Sequence, residues 1–152
     1  MLRIFLSILV LCTCMCCKSQ SKVMQKNMTD ATIELNKTTC YGKCPAFTIL
    51  IHSNGDATYI GEANVSKVGK FTKHFTQEEM QTLFSTFENA GFDSFKEEYP
   101  DKSKDMSVST LSYTQNGKTK QVKGTYRAPK TLKALVKQVS VLSETEGWKK
   151  AE

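Results

Sequence analysis

No stretch of this chain approaches the ~20 consecutive apolar residues that a membrane-spanning helix needs. Catalytic signatures are equally scarce, since no glycine-rich phosphate loop, no H-E-x-x-H and no G-x-S-x-G occurs among the 152 residues. Histidine is limited to His52 and His74, and the acidic residues Glu97, Glu98, Asp101 and Asp105 lack the spacing of an EF-hand calcium loop. These absences remove the common routes to phosphoryl transfer, zinc-assisted hydrolysis and serine acyl transfer. What remains is a chain of single-domain length with ordinary apolar content and charges of both signs, so a packed core is expected rather than disorder.

The N-terminus departs from that pattern. Arg3 precedes a short apolar run from Ile4 to Leu11, followed by Cys12-Thr13-Cys14-Met15-Cys16-Cys17. The run suits the apolar core of a cleavable signal. The segment resembles the lipobox of bacterial lipoproteins, in which the cysteine after a small residue is acylated and becomes the new N-terminus. Cys17 is favoured as the acylated residue, because cleavage before it leaves only Cys40 and Cys44 as thiols. Cys14, with Leu11 three positions earlier, is the alternative. Residues 1–17 are thus read as a lipoprotein signal peptide, 18–30 as a flexible polar tether and 31–147 as one α+β domain. Each buried acyl CH₂ contributes about 0.8 kcal/mol, so two or three chains would hold the domain firmly at a membrane of the cell envelope, inner or outer, facing the periplasm or the cell surface. The formal charge of +6 could suggest nucleic acid. Export argues against that partner and leaves anionic headgroups or a solvated lysine-rich face.

Hydrophobic periodicity supplies the fold class. Alternation over 31–35, the β-branched and aromatic run Ala46 to His52 and the return Ala57 to Gly61 read as strands, and Val65 to Phe75, interrupted by Gly69, as a further strand or a small hairpin bent at the glycine. Asn54-Gly55 and Asn116-Gly117 have the chemistry of two-residue hairpin turns, the second joining Val108–Thr114 to Lys118–Lys123. Thr76-Gln77-Glu78-Glu79 is a capping box opening a helix with Met80, Leu83, Phe84, Phe87 and Ala90 on one stripe, and Gly91 is placed to end it. Lys96 to Lys104 is charged and reads as a surface loop. Pro129 precedes a second helix with Leu132, Leu135, Val136, Val139 and Leu142 on one stripe. The expected architecture is an antiparallel sheet of about five to seven strands built from hairpins, with both amphipathic helices packed on one face.

The most specific internal feature is Cys40-Tyr41-Gly42-Lys43-Cys44-Pro45. In an oxidising compartment two cysteines this close usually pair, and a central glycine allows the turn that brings their Cα atoms within disulfide range. The ring would fix a recognition loop of Tyr41, Gly42, Lys43 and Pro45. Thiol-disulfide or copper chemistry through Cys40 and Cys44 is the competing reading, since C-x-x-x-C-P also occurs in thioredoxin-like copper chaperones and soft thiolates suit Cu(I). In that family, however, the motif opens a helix, whereas here it leads into a strand. His52 would lie about 26 Å beyond Cys44 at ~3.3 Å per residue, and His74 should finish at the same far end, so no metal cluster is expected. Lys43 beside Cys44 could lower its pKa, but it is equally an ordinary loop charge.

Cys40-x-Gly42-x-Cys44-Pro45, Asn54-Gly55, Tyr59-x-Gly61, Gly91-Phe92, Asp105, Gly117-Lys118 and Ala128-Pro129 together resemble a domain family of Gram-negative bacterial lipoproteins, over roughly residues 31 to 143. The resemblance implies a periplasm-facing or surface-exposed lipoprotein domain without an assigned activity, and carries no catalytic residues or cofactor to this chain. The functional expectation is a membrane-tethered, non-catalytic module for a protein or small-molecule partner.

Overall fold

The computed structural model describes residues 30–100, 106–124 and 127–152. The expected signal peptide, most of the tether, both candidate acylation sites Cys14 and Cys17, and Asp101 and Asp105 lie outside the described residues.

Strict alternation builds the centre of the sheet. In β1 (Thr32–Lys37), β2 (Ala46–His52), β3 (Asp56–Ala63) and β6 (Ser109–Gln115), Ile33, Leu35, Phe47, Ile49, Ile51, Ala57, Tyr59, Leu111 and Tyr113 all point to one face and are buried. Successive strand side chains point to opposite faces, so this periodicity commits one face to the core and leaves Thr32, Glu34, Thr48, Thr58, Thr110 and Ser112 on the other. β4 (Gly69–His74) and β7 (Lys118–Gly124) complete the antiparallel body, with Phe71 partly buried and Val122 fully so. The registers Leu35↔Ile49, Leu35↔Leu111 and Ile49↔Tyr59 stack the inward residues in rows across the strands.

Both helices contribute to the same core cluster. Thr76 caps α1 (Gln77–Asn89) as its sequence dictates: the Glu79 amide donates to Thr76 Oγ1 at 3.3 Å and the Thr76 amide donates to Glu79 Oε2 at 2.7 Å. The Thr76 amide, together with the Thr76 hydroxyl that donates to the same Oε2 at 2.8 Å, holds the Glu79 carboxyl below its usual range. Met80, Leu83, Phe84 and Phe87 bury the apolar stripe of α1, while α2 (Lys130–Glu144) follows Pro129 and buries Leu132, Leu135 and Val139. A short 3-10 turn (Phe92–Ser94) folds Phe92 back beneath α1, where its ring centroid lies 5.5 Å from that of Phe87 and 5.9 Å from that of Tyr113.

The α+β composition agrees with the sequence, but the expected all-antiparallel sheet of five to seven strands does not. Among the described residues one sheet of eight strands runs β5-β7-β6-β1-β2-β3-β4-β8 and is mixed. β5 (Glu98–Tyr99) pairs in parallel with β7 through Glu98↔Lys123 and Tyr99↔Gly124. β8 (Lys149–Lys150) pairs antiparallel with β4. Both additions are two residues long, so neither carries an alternation that sequence could reveal. They are held by tertiary bonds: the Lys123 amide donates to the Glu97 carbonyl at 2.8 Å, and the Ala151 amide to the Lys70 carbonyl at 2.9 Å. β5 sits in the segment expected to be a charged loop, and the preceding Glu97 and its own Glu98 pair with Lys120 and Lys123 at 3.9 and 3.3 Å.

The two hairpin turns also differ. Asn116 and Gly117 both adopt positive φ (53° and 72°), as a two-residue turn of the type I′ class requires. At Asn54-Gly55 only Gly55 does (φ 100°), and the Gly55 amide donates to the His52 carbonyl at 3.0 Å. The β2–β3 connection is thus a three-residue loop, Ser53 to Gly55, of the kind that ends in a glycine bulge.

Tyr113 is the one buried side chain whose polar atom lacks a hydrogen-bond partner among the described residues. Burial, reinforced by the charges of Glu88 and Asp93, pushes its phenol up to about 12. The phenol stays neutral in the fold, so the stability it confers is complete below its ordinary value of about 10 and is lost as pH rises from there through about 12. Denaturant titration should separate two core substitutions. Phe87→Ala is expected to cost about 3–5 kcal/mol through an unfilled cavity. Tyr113→Phe removes an unpaired hydroxyl and is expected to be neutral or slightly stabilising at pH 7, while flattening the alkaline loss of stability.

Candidate functional site

The sheet brings three connections to one end. The β1–β2 connection (38–45), the β3–β4 connection (64–68) and the approach to β6 (106–108) all leave or enter strands whose registers Lys37↔Phe47, Lys37↔Ser109, Ala46↔Ala63 and Gly61↔Gly69 place them together. Hydrogen bonds tie them to one another. The Thr38 amide donates to the Val108 carbonyl at 3.0 Å, the Val108 amide to Thr38 Oγ1 at 3.1 Å, and Ser107 Oγ to the Thr38 carbonyl at 2.7 Å. Asn64 Nδ2 donates to the Cys44 carbonyl at 3.1 Å. Asn64 itself adopts positive φ (55°), a conformation asparagine tolerates better than most side chains.

Within this end the cysteine loop is closed covalently. Cys40 and Cys44 form a disulfide with their Cα atoms 5.5 Å apart. The ring displays Tyr41, Gly42 and Lys43 to solvent, while Cys40, Cys44 and Pro45 are half-buried. Tyr41 is 93% exposed, the most of any large apolar or aromatic side chain described. Val68 at 62% and Met106 at 38% stand on the two neighbouring connections. Lys37 lies over the Phe47 ring at 5.8 Å and Lys67 over the Tyr59 ring at 5.9 Å, which places two cations at this end of the sheet. The chemistry available is that of an exposed aromatic and aliphatic surface with a basic border.

Neither histidine approaches the cysteines. His52 ends β2 at the opposite side of the sheet from Pro45, and His74 ends β4 beside it. There His74 Nδ1 and Asp56 Oδ1 lie 2.8 Å apart, and Asn54 Nδ2 donates to Asp56 Oδ2 at 2.9 Å. Those two contacts hold the Asp56 carboxyl below the usual carboxylate range. Among the described residues no group of three His, Cys, Asp or Glu side chains is placed to hold a metal ion. Sequence reasoning singled out Tyr41, Gly42, Lys43 and Pro45 but missed Val68, Met106 and Asn64. A single apolar residue in a connection leaves no periodic signal, and only the strand registers bring these three beside the cysteine loop.

With this geometry in place, comparison with known families gives a match over residues 31–143 to a family described as a domain of unknown function (DUF6438). The chain belongs to this family. Its matched span runs from the start of β1 to the last turn of α2, so it includes the disulfide loop and the cross-tied connections but not β8. No curated protein matches the chain.

Two measurements check these contacts. Closing a five-residue ring contributes about 2 kcal/mol on the chain-entropy expression, so replacing Cys40 and Cys44 together by serine should lower unfolding free energy by about that amount without abolishing the fold. His74→Phe should raise the Asp56 carboxyl toward the usual range, seen by NMR titration of its carboxyl carbon. The depressed Asp56 value stabilises the fold above the unfolded pKa and is lost as pH falls through the folded one, so the variant should also show less acid sensitivity.

Proposed function

We propose that this protein is a membrane-tethered, non-catalytic binding module that meets its partner through the disulfide-closed end of the sheet. Residues 1–17 would direct export, Cys17 or, failing that, Cys14 would carry the lipid, and 18–30 would span the gap to the domain. The observation that carries the recognition reading is the exposure of Tyr41, Val68 and Met106 on three connections that are hydrogen-bonded to one another. An apolar side chain held out on a braced loop gains binding energy with little ordering cost, which is the condition under which aromatic anchors dominate an interface. The chain enters the sheet at Thr32, opposite His52 and thus at the other end from Tyr41. A tether attached there leaves the cysteine-loop end directed away from its point of attachment. The partner would be a protein or small molecule with a complementary apolar surface.

Three readouts test this. A photo-crosslinking side chain at position 41, 68 or 106 in the native host should give one shared adduct, whereas the same group at position 141, also exposed on α2, should give none. Adducts that are absent, or as frequent at 141, would remove the recognition face. Mass spectrometry of the purified protein should find an acylated cysteine as N-terminus, and an intact Met1 would remove the tether. Thiol trapping should find Cys40 and Cys44 oxidised throughout, and a pair cycling between states would move the function to thiol chemistry.

A further inference from the structure

The opposite end of the sheet carries a second cluster that the recognition face does not use. Both histidines of the chain are there, with an aspartate and two lysines. In β2, β3 and β4 the pairings Ile51↔Ala57 and Asp56↔His74 put His52, Asp56 and His74 in one row on the outer face of the sheet. The next row is Thr58, Thr72 and Lys149, through Thr58↔Thr72 in β3 and β4 and Thr72↔Lys149 in β4 and β8. Cross-strand neighbours of this kind stand with Cβ atoms about 4.5–5.5 Å apart, close enough for one small ligand to touch several. Together they line an open depression of about 420 Å³.

The polar groups of this depression divide into those already committed and those left over. Asp56 is committed on both carboxylate oxygens, to His74 Nδ1 and to Asn54 Nδ2. Lys73 is committed as well, donating to Thr145 Oγ1 at 2.8 Å and to the Glu146 carbonyl at 2.7 Å while lying 4.4 Å from the Phe75 ring centroid. With Nδ1 turned to Asp56, Nε2 is the nitrogen that His74 offers to a ligand. The ring is also positioned from below: a Cβ on Gly55 would stand 3.1 Å from His74 Cε1, so the bare glycine backbone lets the imidazole lie against the turn. His52 Nδ1 and Nε2, Lys149 Nζ and the hydroxyls of Thr58 and Thr72 have no hydrogen-bond partner among the described residues. A lysine, two imidazoles and two hydroxyls converging on one depression form a donor set, and the one carboxylate present is already satisfied.

We propose that this depression binds a phosphate group. A tetrahedral oxyanion offers several acceptor oxygens to donors arriving from β3, β4 and β8, where a planar carboxylate offers two. Charge-assisted bonds from Lys149 and from His74 as the imidazolium, the form in which Nε2 carries a proton to donate, supply the affinity, and the hydroxyls supply orientation. The chain enters the sheet beside this cluster, since Thr32 pairs with His52 and the Ser53 amide donates to the Ala31 carbonyl at 2.9 Å. The phosphate source is therefore either a soluble phosphate compound or a phospholipid headgroup near the tether. The site stands on its own geometry and does not depend on the recognition face at the other end.

The test uses the full-length protein in zwitterionic detergent, with NMR following the His52 and His74 Cε1 protons and the Thr58 and Thr72 amides. Inorganic phosphate and monomeric dihexanoyl phosphatidylglycerol are titrated separately. Saturable shifts confined to these residues are expected with at least one probe, weakened about tenfold or more in Lys149→Gln and in His74→Gln, and unchanged in Val141→Ala. Inorganic phosphate alone shifting the site identifies a soluble ligand, and the lipid binding more tightly than inorganic phosphate identifies a headgroup; both support the proposal. Each variant's amide spectrum outside the depression should match the parent, which separates loss of binding from loss of fold. No saturable shift with either probe, or shifts of equal midpoint in the parent and both variants, would overturn it.

Discussion

Everything in this molecule is arranged around the burial of one face of one sheet. The period-two alternation of β1, β2, β3 and β6 sends Ile33, Leu35, Ile49, Ile51, Tyr59, Leu111 and Tyr113 inward, and α1 and α2 cover them with Met80, Phe84, Phe87, Leu132, Leu135 and Val139. A one-residue slip in any central strand would turn its apolar set toward water. Burial of that many large side chains, at about 1.5–3 kcal/mol each, outweighs the local preferences of every turn and cap. That burial leaves the outer face and the two ends where the strands stop as the exposed parts of the sheet.

The outer face is occupied largely by its own contacts. Asn36 Nδ2 donates to Thr48 Oγ1 at 2.9 Å, Thr114 and Thr119 share a hydrogen bond at 2.8 Å, and Gln121 Nε2 donates to Ser112 Oγ at 3.2 Å. The ends are different in kind from this surface and from each other. At one, connections are braced by a disulfide and by side-chain to backbone bonds, and apolar tips project. At the other, imidazole, ammonium and hydroxyl groups surround a carboxylate that is already satisfied.

Sequence was informative wherever a local rule determined local structure. The capping box at Thr76 and Glu79, the stripes of both helices, the positive-φ pair at Asn116-Gly117 and the closeness of Cys40 to Cys44 are each encoded within a few residues. It failed where structure arises from distant partners. β5 and β8 are too short to alternate, and β8 is held in place by Lys73 reaching Thr145 and Glu146 and by Trp148 packing 5.7 Å from Tyr59 and 5.9 Å from Phe75. Asn54-Gly55 misled because the Asn54 side chain accepts from the Asp56 amide, which favours a longer turn than the dipeptide alone suggests. Of the candidate sites, the cysteine loop was legible and its neighbours Val68 and Met106 were not. The far location of both histidines was legible from strand length, whereas Lys149 beside them was not.

The two shortest strands also govern how the molecule behaves in company. A sheet whose outermost members were long and bare would offer unpaired amides and carbonyls as a template for other chains. Here the margins are β5 and β8, each two residues, and the second is a pair of lysines set against the exposed flank of β4. β5 covers only Lys123 and Gly124 of β7, and β8 only Phe71 and Thr72 of β4, so the remaining flanks rely on Lys118, Lys120, Lys70 and Lys73, whose like charges oppose strand-by-strand growth into fibrils or swapped dimers.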